Sequence, residues 1–261
     1  LFAVCKSSEM FELSLQERVE LARFVKQHSK IPVVALGNIA DSLQDQIREI
    51  NEISATGIDA FVLVTNRLAN PEQSDSNWQK NMETLLAGVS SHIPLGLYEC
   101  PQPYKRLISP ELLKWCAETG RFYFLKDTSC DLDNMQAKLK AVKQTRMKIY
   151  NANAATLYQS LKLGVAGYSG VMANFHPQLY VQAVKNFQSN SGVSDLFDFL
   201  GVASVIERQY YPVNAKYYLR LEGFPVELKT RALNESGFGK AMQLEVEQLY
   251  NLTKRLWDIV I

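Results

Sequence analysis

Short apolar runs rich in Val, Ile, Phe and Tyr alternate along the chain with polar turns, and each turn leads into an amphipathic stretch of helical period. That alternation predicts parallel strands joined by crossover helices. The strand candidates fall at residues 1–5, 32–36, 60–65, 94–99, 122–126, 148–151 and 165–170. Each is largely apolar, the pattern of strands covered on both faces in a barrel or a doubly wound sheet.

The helices between them are marked by their ends. Ser14-Leu15-Gln16-Glu17 reads as a capping box opening a helix over 18–27, with Val19, Leu21, Ala22 and Val25 on one side. Asp41 is the expected cap for 42–55, and Asp131 for 132–142. Ser109-Pro110-Glu111 opens a helix to Thr119, with proline at the first helical position. Gly57, Gly120 and Gly164 follow helices where a left-handed cap is wanted.

After Gly170 the alternation stops, and helices are expected at 178–187, 195–210, 213–221 and 240–260. The polar, glycine-containing segment 189–194 reads as a linker, so the expected division is a barrel-like domain over 1–188 and a helical domain over 189–261.

Composition narrows the function classes. The chain of 261 residues carries 28 Lys+Arg against 27 Asp+Glu, with no basic run, so nothing predicts a nucleic-acid partner. No apolar stretch approaches the roughly 20 residues of a membrane span, and no signal peptide is visible, so a cytoplasmic protein with a small-molecule partner is expected. Cys5, Cys100, Cys116 and Cys130 form no CxxC pair, and His28, His92 and His176 are few. No metal site is expected, and the cysteines read as buried free thiols.

Active sites of parallel α/β folds lie at the carboxyl ends of the strands. There Lys126 ends the apolar run Phe122-Tyr123-Phe124-Leu125. Burial disfavours an ammonium, and the neutral amine is the nucleophile of Schiff-base chemistry. Pairing with Asp127, or a stem lying along the barrel with its head in water, explains the same lysine without chemistry. Tyr98, ending Leu95-Gly96-Leu97, reads on its own as an aromatic core residue. Cys5-Lys6-Ser7-Ser8-Glu9 offers hydroxyls and backbone N–H groups that suit a carboxylate, or simply a cap.

Three segments in order, each at a predicted strand end, then carry a resemblance: Leu97-Tyr98-Glu99-Cys100-Pro101, Phe124-Leu125-Lys126-Asp127-Thr128-Ser129, and Gly167-Tyr168-Ser169-Gly170-Val171-Met172-Ala173-Asn174. Together they resemble the dihydrodipicolinate synthase / N-acetylneuraminate lyase family, and the similarity runs from Phe2 to the C-terminal helices, taking in Glu9, Leu13-Ser14, Thr65 and Pro71.

The resemblance implies a (β/α)8 TIM barrel with a C-terminal helical bundle, assembled as a homo-oligomer, tetramer or dimer. It implies a Schiff-base lyase or aldolase needing no cofactor beyond a covalent lysine imine. Lys126 would condense with pyruvate or another 2-oxo acid, and the iminium would draw electrons for carbon–carbon cleavage or for enamine attack on an aldehyde. Tyr98 matches the family's proton-shuttling tyrosine. Ser7 matches a hydroxyl that binds the 2-oxo acid carboxylate. Ser169 matches the position whose backbone carbonyl lines the pyruvate site, and Thr128 a hydroxyl touching the sugar-like part of the substrate in the sialic acid branch.

The chain also departs from the family. Lys6 stands where many members have the hydroxyl that links two tyrosines, and Leu68 where the second tyrosine is expected. A proton relay of the usual kind is therefore not expected, and Lys6 adds a cation suited to a substrate anion. Pro103 stands where dihydrodipicolinate synthases carry an arginine for the second substrate; Lys105 and Arg106, slightly further on, are expected at the solvated surface, with substitution for that arginine as the alternative. Dihydrodipicolinate synthase proper and a non-catalytic paralogue are the alternatives. The first strand counted here matches the family's second, so the barrel's first strand and helix are expected to be absent from a parent chain of roughly 290 to 300 residues.

Overall fold

A computed structural model describes residues 1–188 and 193–260. Among them, seven strands hydrogen-bond in chain order: β1 (Phe2–Ala3), β2 (Val34–Leu36), β3 (Ala60–Val64), β4 (Leu95–Tyr98), β5 (Phe122–Asp127), β6 (Lys148–Asn151) and β7 (Gly167–Tyr168). The pairs from β1 to β5 are parallel, as the crossover pattern requires. The intervening helices are α1 (Leu15–His28), α2 (Leu43–Ser54), α3 (Asp75–Gly88), α4 (Pro110–Glu118), α5 (Leu132–Val142) and α6 (Leu157–Leu163). After β7 come α7 (Pro177–Asn186), α8 (Val193–Ala203), α9 (Val213–Leu221) and α10 (Lys240–Val260).

The expected helix starts are largely present. Ser14 and Glu17 form the full capping box of α1, Ser109 caps α4 ahead of Pro110, and the Asp131 carboxylate accepts the N–H groups of Asp133 and Asn134. The cap of α2 differs. Ser42, not Asp41, accepts the N–H of Asp45, while Asp41 turns outward to Arg67 at 3.1 Å. Gly120 closes α4 at φ +71°, a conformation that costs any other L residue a steric penalty. The run expected at 195–210 divides into α8 and a 3-10 turn over Ser204–Arg208. The strand expected over 1–5 ends at Ala3 because Val4 turns to φ 48°.

Two compact units emerge: Leu1–Tyr150 with Leu163–Ala166, and Asn151–Lys162 with Gly167–Ile261. The division does not follow the boundary expected after residue 188. The physical reason lies in α6 and α7, whose Leu157, Leu161, Leu179, Tyr180 and Ala183 bury into the apolar cluster of the later helices. The linker expected over 189–194 lies, for residues 189–192, outside the described residues.

In the first unit β3 is buried throughout, with Phe61, Val62, Leu63 and Val64 fully enclosed, as a doubly covered strand should be. Strand ends are fastened by buried polar groups. Arg18 donates to the Gly37 carbonyl at 2.6 Å and to Glu49 at 2.7 Å, while the other Glu49 oxygen accepts the N–H groups of Ile39 and Ala40. Gly96 on β4 gives its side-chain space to Phe124 of β5; a methyl group there would fall 2.2 Å from the ring.

In the second unit Tyr168 and Tyr180 stack at 3.9 Å, and His176 is buried beside them with Nδ1 3.2 Å from Thr253 Oγ1. Burial lowers the His176 pKa from 6.5 to about 4. Between those values the unfolded chain binds a proton that the folded chain refuses. The stabilisation is therefore complete above the upper value and drains away as the pH falls toward the lower one.

Two outcomes are expected. Gly96→Ala should lower stability by about 1–3 kcal/mol, read from the urea midpoint, because the Phe124 ring has to move. Wild-type stability should fall by on the order of 3 kcal/mol between about pH 7 and about pH 4 through His176, and His176→Phe should remove that component. An unchanged pH dependence in the variant would assign the effect to other groups.

Candidate active site

Tyr98 and Lys126 are register partners on β4 and β5. The Lys126 ammonium sits 4.6 Å from the centroid of the Tyr98 ring and 5.4 Å from that of Phe2, and the two rings meet edge to face at 6.2 Å. The lysine is half-buried and the tyrosine buried. Gly96 and Phe124 share the same face one pair back, with the Phe124 ring lying over Gly96.

An irregularity in the ladder sets this arrangement. Leu95 pairs with Phe122, but Gly96 pairs with Phe124, so Tyr123 is an extra residue on β5. Strand side chains alternate, and one inserted residue exchanges the two faces from that point on. With the bulge, Lys126 shares a face with Tyr98. In an unbulged ladder of the same residues Leu125 would lie opposite Tyr98, and Lys126 would point toward the helices opposite Glu99.

Asp127 is not the partner of Lys126 that the sequence allows. It leaves the sheet on the opposite face, where its Oδ2 accepts from Lys138 of α5 at 2.6 Å. Glu99, the residue after Tyr98, accepts from the same ammonium at 2.6 Å. All three side chains are fully buried. Burial pushes the Glu99 carboxyl up, the Lys138 charge opposes this, and Asp127 adds to the rise.

Lys6 and Ser7 lie in a 3-10 turn over Lys6–Ser8, directly after β1. The N–H groups of Ser8 and Met10 bond the Cys5 carbonyl and that of Glu9 bonds Lys6, so the turn presents its leading N–H groups at Lys6 and Ser7. Lys6 is exposed and Ser7 half-buried. Positive φ angles at Val4 and Glu9, rare for side chains of these kinds, bracket the turn. Cys100, buried after β4, reports on the neighbourhood: burial raises its thiol pKa, against hydrogen bonds from Gln102 and Tyr98 and the charges of Lys6 and Lys126.

The other expected residues divide. Thr128 donates its hydroxyl to the Glu99 carbonyl at 2.6 Å and its N–H to the Glu99 carboxylate at 3.1 Å, so its proton is committed within the protein. Ser169 lies in the second unit, after β7, its N–H bonded to the Asn151 carbonyl at 2.8 Å. Leu68 is buried in the core. Arg106 is neither solvated nor open to a substrate, since it holds Asp75 at 2.9 Å and the carbonyls of Asn70 and Gln73. Lys105 reaches the Thr128 carbonyl at 2.8 Å. The four cysteines are free, three of them buried and Cys130 exposed. Among the described residues no group of three or more His, Cys, Asp or Glu side chains gathers as a metal site.

Sequence reasoning missed Lys138. The available signal was its place with Met135 and Val142 on the buried face of α5, where a lysine needs an anionic partner.

The comparisons accord with this geometry. The family model described as Dihydrodipicolinate synthetase family matches residues 1–238. A 4-hydroxy-tetrahydrodipicolinate synthase of Psychrobacter arcticus is 26% identical over 230 residues, covering 85% of this chain and 74% of that protein. In structure, the chain is similar to YagE of E. coli K12, a prophage protein of the dihydrodipicolinic acid synthase family solved with pyruvate, at TM-score 0.85 and 20% identity over 97% of this chain and 86% of that one. It is also similar to the chloride-inhibited dihydrodipicolinate synthase of Acinetobacter baumannii, solved with pyruvate, at TM-score 0.83 and 19% identity over 97% and 86%. These neighbours are TIM-barrel proteins, and their likeness establishes the fold. Because the family match takes in both strand ends that carry Tyr98 and Lys126, the chain belongs to the dihydrodipicolinate synthetase family.

Proposed function

We propose that the protein is a Schiff-base lyase or aldolase acting on pyruvate or another 2-oxo acid, with Lys126 as the covalent nucleophile. The observation that carries the reading is the amine of Lys126 at the carboxyl end of β5, in register with Tyr98 and on its face of the sheet, in a chain of this family. The pyruvate held by the two structural neighbours supports the substrate class.

The chemistry follows from an amine and a ketone. The lysine nitrogen forms a bond to C2 of the 2-oxo acid, the carbonyl oxygen leaves as water, and the protonated imine accepts the electron pair released when the adjacent C–H or C–C bond breaks. The resulting enamine returns that pair to a proton or to the carbonyl carbon of an aldehyde. No cofactor enters this proposal, because the iminium is itself the electron sink. Tyr98 is proposed as the acid/base group, with Lys6 and Ser7 near the substrate carboxylate. Thr128, its hydroxyl proton spent on Glu99, is left with acceptor capacity only.

The proposal includes a closed (β/α)8 barrel to which the seven strands belong, and a cytoplasmic homo-oligomer as the family resemblance implies. Among the described residues no helix is long and apolar enough to cross a membrane. Pro103 and the commitment of Arg106 to Asp75 favour an aldehyde other than one gripped by an arginine at that place.

Incubation with pyruvate followed by borohydride should give a protein heavier by pyruvic acid less one oxygen, and Lys126→Ala should give none. A wild-type protein without the adduct, or an adduct that survives in the variant, overturns the reading. Tyr98→Phe should still trap pyruvate but slow exchange of the pyruvate methyl protons with deuterated water by about 10²–10⁴-fold, measured by NMR.

A further inference from the structure

The two residues proposed for the chemistry are each followed in sequence by a carboxylate, and both carboxylates close on one cation. Lys138 Nζ lies 2.6 Å from Glu99 Oε1 and 2.6 Å from Asp127 Oδ2, so a single ammonium on α5 ties the ends of β4 and β5. The remaining valences are filled locally. Glu99 also accepts the N–H groups of Ile108 and Thr128, and Asp127 Oδ1 accepts the N–H and hydroxyl of Ser129. The backbone joins in, with the Glu99 N–H on the Lys126 carbonyl at 3.3 Å.

Stability alone does not account for this construction. Position 138 shares the buried face of α5 with Met135 and Val142, where an apolar side chain would pack without charge. Replacing a buried ion cluster with apolar residues is often neutral or stabilising. What the cluster adds is direction: charge-assisted bonds of this length fix where the two strand ends lie relative to one another.

We propose that Lys138 is a positioning residue for the imine chemistry, holding Tyr98 and Lys126 in their mutual placement through Glu99 on one strand and Asp127 on the other. The inference rests on the Schiff-base reading above. It does not make Lys138 a reacting group, since the side chain is fully buried on the far face of the sheet. Small displacements of a reacting pair are costly, about 10²-fold for one on the order of 1 Å. A tether removed from behind the pair should therefore appear in the rate of the covalent step.

The test is a time course of borohydride-quenched adduct, read by intact mass over a range of pyruvate concentrations. Lys138→Met keeps the length of the side chain and removes the charge. Its limiting rate constant should fall by about tenfold or more, while the half-saturating pyruvate concentration changes by less than about twofold. Val142→Ala loosens the same face of α5 without touching either carboxylate, and should keep the limiting rate within about twofold of wild type.

If Lys138→Met does not fold, Asp127→Glu serves in its place. It keeps every charge, lengthens one tether by a methylene, and should slow the step by about threefold or more. A wild-type limiting rate in Lys138→Met, or in Asp127→Glu where that variant replaces it, overturns the inference while leaving the Schiff-base reading intact. A reduced adduct amplitude at an unchanged rate constant marks a misfolded fraction and overturns it equally. If the wild-type protein forms no adduct, the Schiff-base reading fails and this inference falls with it.

Discussion

Three charges with no access to water, Glu99, Asp127 and Lys138, impose the constraint around which the first unit is arranged. Each carries a desolvation cost of several kcal/mol, and removing one partner from such a cluster typically costs about 3–5 kcal/mol. The cluster therefore exists only while β4, β5 and α5 are all in place. Its demands extend further along the chain, because Glu99 also takes the N–H of Ile108, immediately before the Ser109 cap of α4. A single ammonium thus makes two strand ends, one helix and the approach to another mutually dependent.

The same strands serve two purposes on their two faces. Toward the helices they carry Leu97 and Leu125, fully buried, and then the paired carboxylates. On the other face they carry Gly96 under the Phe124 ring and, at the strand ends, Tyr98 and Lys126. The end of β2 follows a related plan, with Arg18 and Glu49 holding Gly37, Ile39 and Ala40. Buried charge at a strand end serves to immobilise loops whose backbone would otherwise lack partners.

Much of this was legible in the chain. The strands at 60–65, 94–99 and 122–126 are dense apolar runs, and burial on both faces leaves few other ways to read them. Ser14-Leu15-Gln16-Glu17 and Ser109-Pro110 state their caps outright. Strand β1 is shorter than expected because the backbone at Val4 leaves the extended region for a reason no apolar pattern records, and β7 keeps only Gly167–Tyr168 of the run expected over 165–170. Asp41 and Ser42 are equally good caps by type, and only tertiary pairing with Arg67 decides between them. Lys126 and Tyr98 could be placed at strand ends, yet their common face could not, since Phe122, Tyr123, Phe124 and Leu125 are apolar in either register. Arg106 was judged by its type, as a surface or substrate cation, when its carbonyl and carboxylate partners lie more than 30 residues back in sequence.

The bulge at Tyr123 has a bearing on how such a sequence can diverge. Loss of the Tyr123 codon would straighten the ladder and keep Lys126 opposite Tyr98. Loss of the Leu125 codon, with the bulge kept, would put Asp127 opposite Tyr98 and exchange an amine for a carboxylate on the face where chemistry is possible. Alignments score that event as one gap. For the molecule it is a change of sign. Length in β5 beyond the bulge is therefore inherited information of the same rank as the identity of the lysine.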